Sequence, residues 1–383
     1  MMSGEEIVYA KSEPCQTIKE HTYALLDNLS LLRKTYGESI ENLLPVQYRD
    51  IFWDVLSLVI KYHDLGKINT NFQNKIRQKI GLPLLPIVIE REIPHNLLSP
   101  AFFGDEIFEY EKNIIRAAIQ AIIFHHEGRS LPSFDGIEET IRRDLEARKS
   151  FVGDIIKLPD TLWTGYDRYY KARITPKDEI YIFYLLVKGL LHRLDHASSA
   201  FADIEIKDDS LPEKVLGFLS HKGDLRPLQQ YALNNQDKNL IIVASTGIGK
   251  TEAGLLWAGR EKTFFTLPLR VTVNSIFDRV ANEKAIGYKN SGLLHSASLD
   301  YLDYAGYETP FEIYKNSRQL SCQVNISTID QLFTFSFKYG GYEKILSTLL
   351  YSRVIIDEIQ SYEPKIAAII LMGLKDIKWA GNF

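Results

Sequence analysis

The chain has 383 residues, too many for one compact core, so two or three domains are expected; its hydrophobic content of 45% is that of an ordinary globular protein. With 45 Lys and Arg against 49 Asp and Glu, a formal net charge of -4 excludes a protein that holds nucleic acid by bulk positive charge, and any such site must be local. Two distant cysteines (Cys15, Cys322), no apolar N-terminal run and no segment of the roughly 18 apolar residues a span needs exclude a disulfide scaffold and a membrane partner, leaving a cytoplasmic chain as the expectation.

From Thr17 to about Thr35, Leu25, Leu29 and Leu32 share one helical face, and His21 lies one turn earlier on it. The run from about Tyr48 to Tyr62 carries Ile51, Phe52, Val55, Leu56 and Val59 at helical spacing and delivers His63 and Asp64 to its end. Gly66 is expected to end that helix in a left-handed turn. A loop rich in proline and isoleucine, Gly81 to Pro94, leads to His95. Glu111 to Phe124 is a strongly apolar helix closed by His125 and His126, Glu138 to Lys149 an amphipathic surface helix, and Asp160 to Pro176 irregular. Asp178 to Ala202 is a last apolar helix carrying His192, Asp195 and His196. No strand pattern appears before Leu240. A polar stretch between Ala202 and Arg226 marks a boundary, giving domains at 1–205 and 226–383 with 206–225 as linker. Beyond it short apolar runs (240–244, 263–267, 324–327, 353–356) alternate with helical ones (252–260, 271–282, 331–337, 364–374), the pattern of a parallel sheet flanked by helices.

His21, His63, Asp64, His95, His125, His126 and Asp195 are seven candidate metal ligands at helix ends or on apolar faces. Imidazole with carboxylate suits manganese, iron, cobalt, nickel or zinc, and the lack of cysteine ligands argues against structural zinc. One or two such ions would suit hydrolysis of a phosphate ester, with Lys67 offering its ammonium to the phosphate oxygens. His192 and His196 are read as core residues. An early helical His, a His-Asp pair and a later helical Asp resemble the HD phosphohydrolase superfamily, on His21, His63, Asp64 and Asp195; His95 and the His125-His126 pair narrow the resemblance to HD nucleases, with Asp64 and Lys67 at the reaction.

Ala244-Ser-Thr-Gly-Ile-Gly-Lys-Thr251 follows an apolar run and opens a helix, as a phosphate-binding loop requires. Backbone amides around Thr246, Gly247 and Gly249 would cradle phosphates, Lys250 would meet the β- and γ-phosphates, and Thr251 would bind magnesium of Mg-ATP. Arg353 to Gln360 supplies Asp357 for magnesium and Glu358 to orient the attacking water. The loop resembles superfamily 2 helicases, which implies an adenine-reading role for Gln229 and contacts of Arg270, Ser327 and Thr328 with a nucleic-acid backbone.

Together these halves, an all-helical HD-type metal phosphohydrolase domain and a RecA-like parallel α/β domain, resemble the CRISPR-associated nuclease-helicase. The resemblance implies 3′–5′ movement on single-stranded DNA driven by ATP, cleavage of that strand at a manganese, nickel, cobalt or iron centre, and an RNA-guided surveillance complex as partner. Gln360 replaces the usual histidine of the acidic motif, and the sequence stops at Phe383, before a second motor domain with its arginine finger. ATPase and helicase activity are therefore expected to be deficient. The alternatives are an HD nucleotide phosphohydrolase with a regulatory ATP-binding domain, and a non-catalytic recruitment module.

Overall fold

The computed structural model describes residues 7–126 and 136–381. It divides into two compact units, 1–199 with 339–347, and 200–338 with 348–383.

The first unit opens on a hairpin, β1 (Tyr9–Ser12) against β2 (Cys15–Thr17), antiparallel. This corrects the expectation of no strand before Leu240. Two strands of four and three residues are too short for an alternating pattern to stand out. Thr17 then caps α1 (Ile18–Leu43) in a capping box with Glu20, and the helix runs beyond the expected Thr35 across a non-helical residue at Tyr36. α2 (Val46–Tyr62) follows as expected, and a 3-10 turn, Leu65–Ile68, leads into α3 (Thr70–Lys79). α1, α2 and two later helices, Lys112–Ile123 and Tyr181–Ser199, pack on one another around Leu25, Leu32, Phe52, Val59, Ile119, Leu186 and Leu190, all of them fully buried. Each such side chain contributes about 1.5–3 kcal/mol of burial. Residues 339–347 complete this unit. Glu343 there forms a buried ion pair with Lys188 at 2.7 Å, and Tyr342 and Tyr181 place their hydroxyls 2.9 Å apart.

Gly66 has a different task from the one expected. It does not take a left-handed φ. A Cβ there would instead strike the His95 carbonyl and come within 2.9 Å of Leu98 Cβ and Ser99 N. The glycine thus allows the 65–68 turn to lie directly on the segment that carries His95, an approach cemented by Gly66 N–H donating to Ser99 Oγ at 2.9 Å.

The second unit is built on a four-stranded parallel sheet, ordered β4 (Ser291–Leu294), β5 (Val324–Thr328), β3 (Thr263–Leu267) and β6 (Arg353–Ile356). β4 was not expected. Residues 240–244, expected as a strand, join no ladder, and Ile241 and Val243 are 97% and 96% exposed. A short apolar run makes a strand only when a neighbour takes its N–H and C=O groups, and among the described residues no strand pairs with this one. Residues 206–225, expected as a linker, contain the helix Leu211–Ser220, whose Leu211, Val215 and Leu219 join the core formed by Phe265, Phe277, Leu293 and Ile326. The parallel register pairs Leu267 with Thr328 and Thr266 with Ile356, so the residues following β3, β5 and β6 emerge at one edge of the sheet.

Candidate metal centre and nucleotide-binding loop

Asp64, between the end of α2 and the 65–68 turn, sits in the middle of a ring of imidazoles. One of its carboxylate oxygens lies 3.5 Å from His63 Nε2 and 3.6 Å from His21 Nε2; the other lies 3.3 Å from His95 Nε2 and 4.0 Å from His125 Nε2. His126 Nε2 stands 2.9 Å from His95 Nε2. Donor atoms sharing one ion at about 2.1 Å stand roughly 3 Å apart, so these spacings are those of a ligand shell. Two sets emerge with Asp64 common to both: His21, His63 and Asp64, and Asp64, His95, His125 and His126. Asp195 lies in neither set but meets His21 Nε2 at 3.0 Å through Oδ1. All seven expected ligands are thus brought together. His192 and His196 are stacked edge-on at 4.2 Å, His196 against Lys344 Nζ at 3.0 Å, and neither enters either set.

The proton positions follow from the backbone. His63 Nδ1 lies 2.7 Å from the Ile60 carbonyl and His125 Nδ1 2.5 Å from that of Ile122. A carbonyl only accepts, so both Nδ1 atoms carry hydrogen. Their Nε2 atoms point into the cluster, buried and without a hydrogen-bond partner among the described residues. Two orphaned buried nitrogens on rings locked by carbonyls are what a divalent cation requires, and the donor set fits one.

Electrostatics sets the same protonation pattern. Burial would raise the Asp64 pKa, yet His63, Lys67 and His95 hold it well below the carboxylate range. Asp195 is likewise held low, against its burial, by its hydrogen bond to His21. Burial pushes His21 and His126 down, His95 to about 4, and His125 well below its ordinary value. Neutral imidazoles and ionised carboxylates are the forms that bind metal. Lys67, expected to face a phosphate, is buried and gives its ammonium to Asp64 at 2.6 Å.

In the second unit Gly247 and Gly249 take φ of +82° and +91°, which explains both glycines of the loop, and the Lys250–Ala258 helix starts at its end. Thr246 lies within the loop and Thr251 is buried in the first helical turn. Lys250 Nζ pairs with Glu358 Oε1 at 2.9 Å, which joins the loop to the acidic motif and lowers the Glu358 pKa; burial raises that of Asp357. Gln229 is buried, accepts from Arg226 N–H at 3.0 Å and packs on Gly249, while the Arg226 guanidinium donates to the Gly247 carbonyl. The two residues brace the loop, a contact that sequence spacing does not reveal for Arg226. Arg270 is exposed and reaches Ser296 Oγ at 3.4 Å, whereas Ser327 and Thr328 are buried at the end of β5.

A family model described as Cas3, HD domain, matches residues 24–166, and one described as DEAD/DEAH box helicase matches residues 226–377. The two matched stretches are a Cas3-type HD domain and a DEAD/DEAH box helicase domain. His21 precedes the stretch matched to the HD model and Asp195 follows it. The CRISPR-associated nuclease/helicase Cas3 of Methanothermobacter thermautotrophicus is 26% identical over 446 residues, covering 98% of this chain and 52% of that relative. A second Cas3 relative, from Methanocaldococcus jannaschii, is 24% identical and covers 79% of this chain and 49% of its own length. The chain therefore spans about half the length of the curated relatives it matches. The fold is that of T. fusca Cas3 with AMPPNP (TM-score 0.61, 17% identity, 98% of this chain and 48% of that one). A chain from a structure titled CRISPR RNA-guided surveillance complex, pre-nicking, shares it too (TM-score 0.53, 17% identity, 95% and 45%). No helix among the described residues is long and apolar enough to cross a membrane.

Proposed function

We propose that the HD domain cuts single-stranded DNA with a divalent transition metal (manganese, nickel, cobalt or iron). The α/β domain binds Mg-ATP as part of a 3′–5′ helicase or translocase, and the two serve CRISPR defence against foreign DNA. The surveillance-complex relative supports an RNA-guided complex as partner. One observation carries the nuclease reading: a single ionised carboxylate, Asp64, shared between two sets of imidazoles, in each of which one ring, His63 or His125, turns a buried and unpartnered Nε2 towards it among the described residues.

One or two divalent ions held there would supply Lewis-acid activation of water and stabilisation of phosphodiester charge. The chain's own residues hold and tune that centre. His63 and His125, fixed by carbonyls, present lone pairs; His21, His95, His126 and Asp195 complete the shells. Asp64 joins the two sets, and Lys67 keeps it anionic while adding positive charge where phosphate charge builds. In the second domain the amides at Thr246, Gly247 and Gly249 receive phosphate, and Lys250 exchanges Glu358 for the phosphate oxygens. Thr251 and Asp357 hold magnesium and Glu358 orients water. Gln229 contacts adenine, and Arg270, Ser327 and Thr328 the DNA backbone.

The test is manganese-loaded chain on circular single-stranded DNA and, separately, on nucleoside triphosphates, with His63→Ala and Asp64→Ala beside it. The expected result is DNA cutting, lost in both variants with helical content retained by circular dichroism. Phosphate release from nucleotides without DNA cutting would make the domain a nucleotide phosphohydrolase, and neither activity would make it a recruitment module.

A further inference from the structure

Asp195 has a neighbour besides His21. Ser199, one turn on in the same helix, donates its hydroxyl to Asp195 Oδ1 at 3.2 Å, and Ser199 Oγ accepts from Lys11 Nζ at 2.6 Å. Lys11 belongs to β1, which is fastened to the metal centre from the other side. The fully buried Gln73 accepts from Tyr9 N–H at 2.9 Å and donates to the carbonyls of Tyr9 at 2.9 Å and Lys67 at 2.8 Å. The hairpin is thus tied to the turn that carries Lys67, and it presents an ammonium to the end of the last helix.

A serine in the last turn of a helix has an alternative, to bond back to the carbonyl four residues earlier, here that of Asp195. With Lys11 Nζ on one lone pair of Ser199 Oγ the hydroxyl hydrogen is confined to the directions left, and here it goes to the Asp195 carboxylate. We propose that Lys11 is a positioning residue of the HD metal centre: through Ser199 it fixes the Asp195 carboxylate in the orientation that meets His21, and so sets metal affinity. Burial costs the half-buried Lys11 part of its hydration, and the neighbouring Asp195 and Asp64 carboxylates favour its charged form. A lysine there serves two anionic ligands rather than the hairpin, whose strands are already joined by their own ladder. The proposal rests on the reading of the histidine–aspartate cluster as a metal centre.

Isothermal titration of manganese into the full chain tests it, on wild type, Lys11→Met, Lys11→Arg, Ser199→Ala, the double variant Lys11→Met/Ser199→Ala, and His63→Ala. Partners that orient ligands change metal affinity by about 10- to 100-fold, so Lys11→Met and Ser199→Ala should each weaken manganese at least tenfold. The double variant should be no weaker than the worse single one, because both break one relay. Lys11→Arg should recover part of the loss, and at saturating manganese Lys11→Met should cut DNA with wild-type KM. Wild-type affinity in Lys11→Met, losses that multiply in the double variant, or a raised KM at saturating metal would each overturn the proposal. Ser199→Ala leaves the hairpin untouched, so its result stands even where Lys11→Met disturbs folding. If His63→Ala also binds manganese like wild type, the metal-centre reading itself fails and takes the proposal with it. Loss in His63→Ala with none in Lys11→Met removes Lys11 alone.

Discussion

Gly66→Ala should disable the metal centre without touching a ligand. The added methyl would lie 2.9 Å from Leu98 Cβ and Ser99 N and closer still to the His95 carbonyl. Carbon atoms rest at about 3.5–4.0 Å, so the 65–68 turn and the 95–99 segment must part by roughly 1 Å. Both sides carry proposed ligands: Asp64 precedes the turn and His95 opens the segment, and their 3.3 Å contact spans the gap. Ligand distances tolerate about 0.2 Å, so a shift of this size takes His95 out of the set it shares with Asp64. Overpacking in a tight interior costs about 1–3 kcal/mol, small enough for the chain to fold, while manganese affinity should fall by about 10- to 100-fold. Gly217→Ala is the control: it sits in a helix with nothing among the described residues within 4 Å of a Cβ, and should be neutral or stabilising by about 0.5–1 kcal/mol. Manganese titration and urea unfolding of both variants decide the matter. A Gly66→Ala chain that binds manganese as tightly as wild type would refute the close-approach account.

Metal-free chain should lose stability as pH falls from about 6.5. Burial and the nearby His196 and Lys344 charges lower the His192 pKa to about 3, and burial lowers His95 to about 4. Each depressed imidazole contributes stability that is full above its unfolded pKa near 6.5 and lost as pH falls towards the folded value, at about 1.4 kcal/mol per unit. His192→Gln should flatten urea midpoints measured between pH 7 and pH 4; equal slopes in both proteins contradict a neutral buried His192. After removal of metal by EDTA, manganese should restore cutting better than magnesium, which prefers oxygen ligands to imidazole, and equal rescue by calcium contradicts the histidine shell. Lys250→Ala should abolish binding of a fluorescent ATP analogue while leaving manganese binding intact, and unchanged nucleotide affinity would remove the loop from the ATP site.

The sequence alone determined what depends on near neighbours. Helical spacing delivers His63 and Asp64 together to the end of α2, and His125 and His126 to the end of Lys112–Ile123. Gly247, Gly249, Lys250 and Thr251 are a single local turn, legible because φ above zero and an amide cradle demand those residue types in that order. The candidate ligands could be named because few roles account for so many histidines on apolar faces. What depends on residues far apart was decided only by tertiary structure. Nothing local says that Asp64 is shared by two imidazole sets, since His21 and His125 reach it from separate helices, or that Lys67 turns to Asp64 instead of outward. Gly66 reads as a helix terminator until the 95–99 segment is laid on it. Residues 240–244 read as a strand because a short apolar run reports only the segment's own side chains, whereas a ladder needs a neighbour. Lys11 and Ser199, 188 positions apart, carry no pattern at all: their relation to Asp195 exists only once Gln73 has pinned β1 beside the turn that follows Asp64.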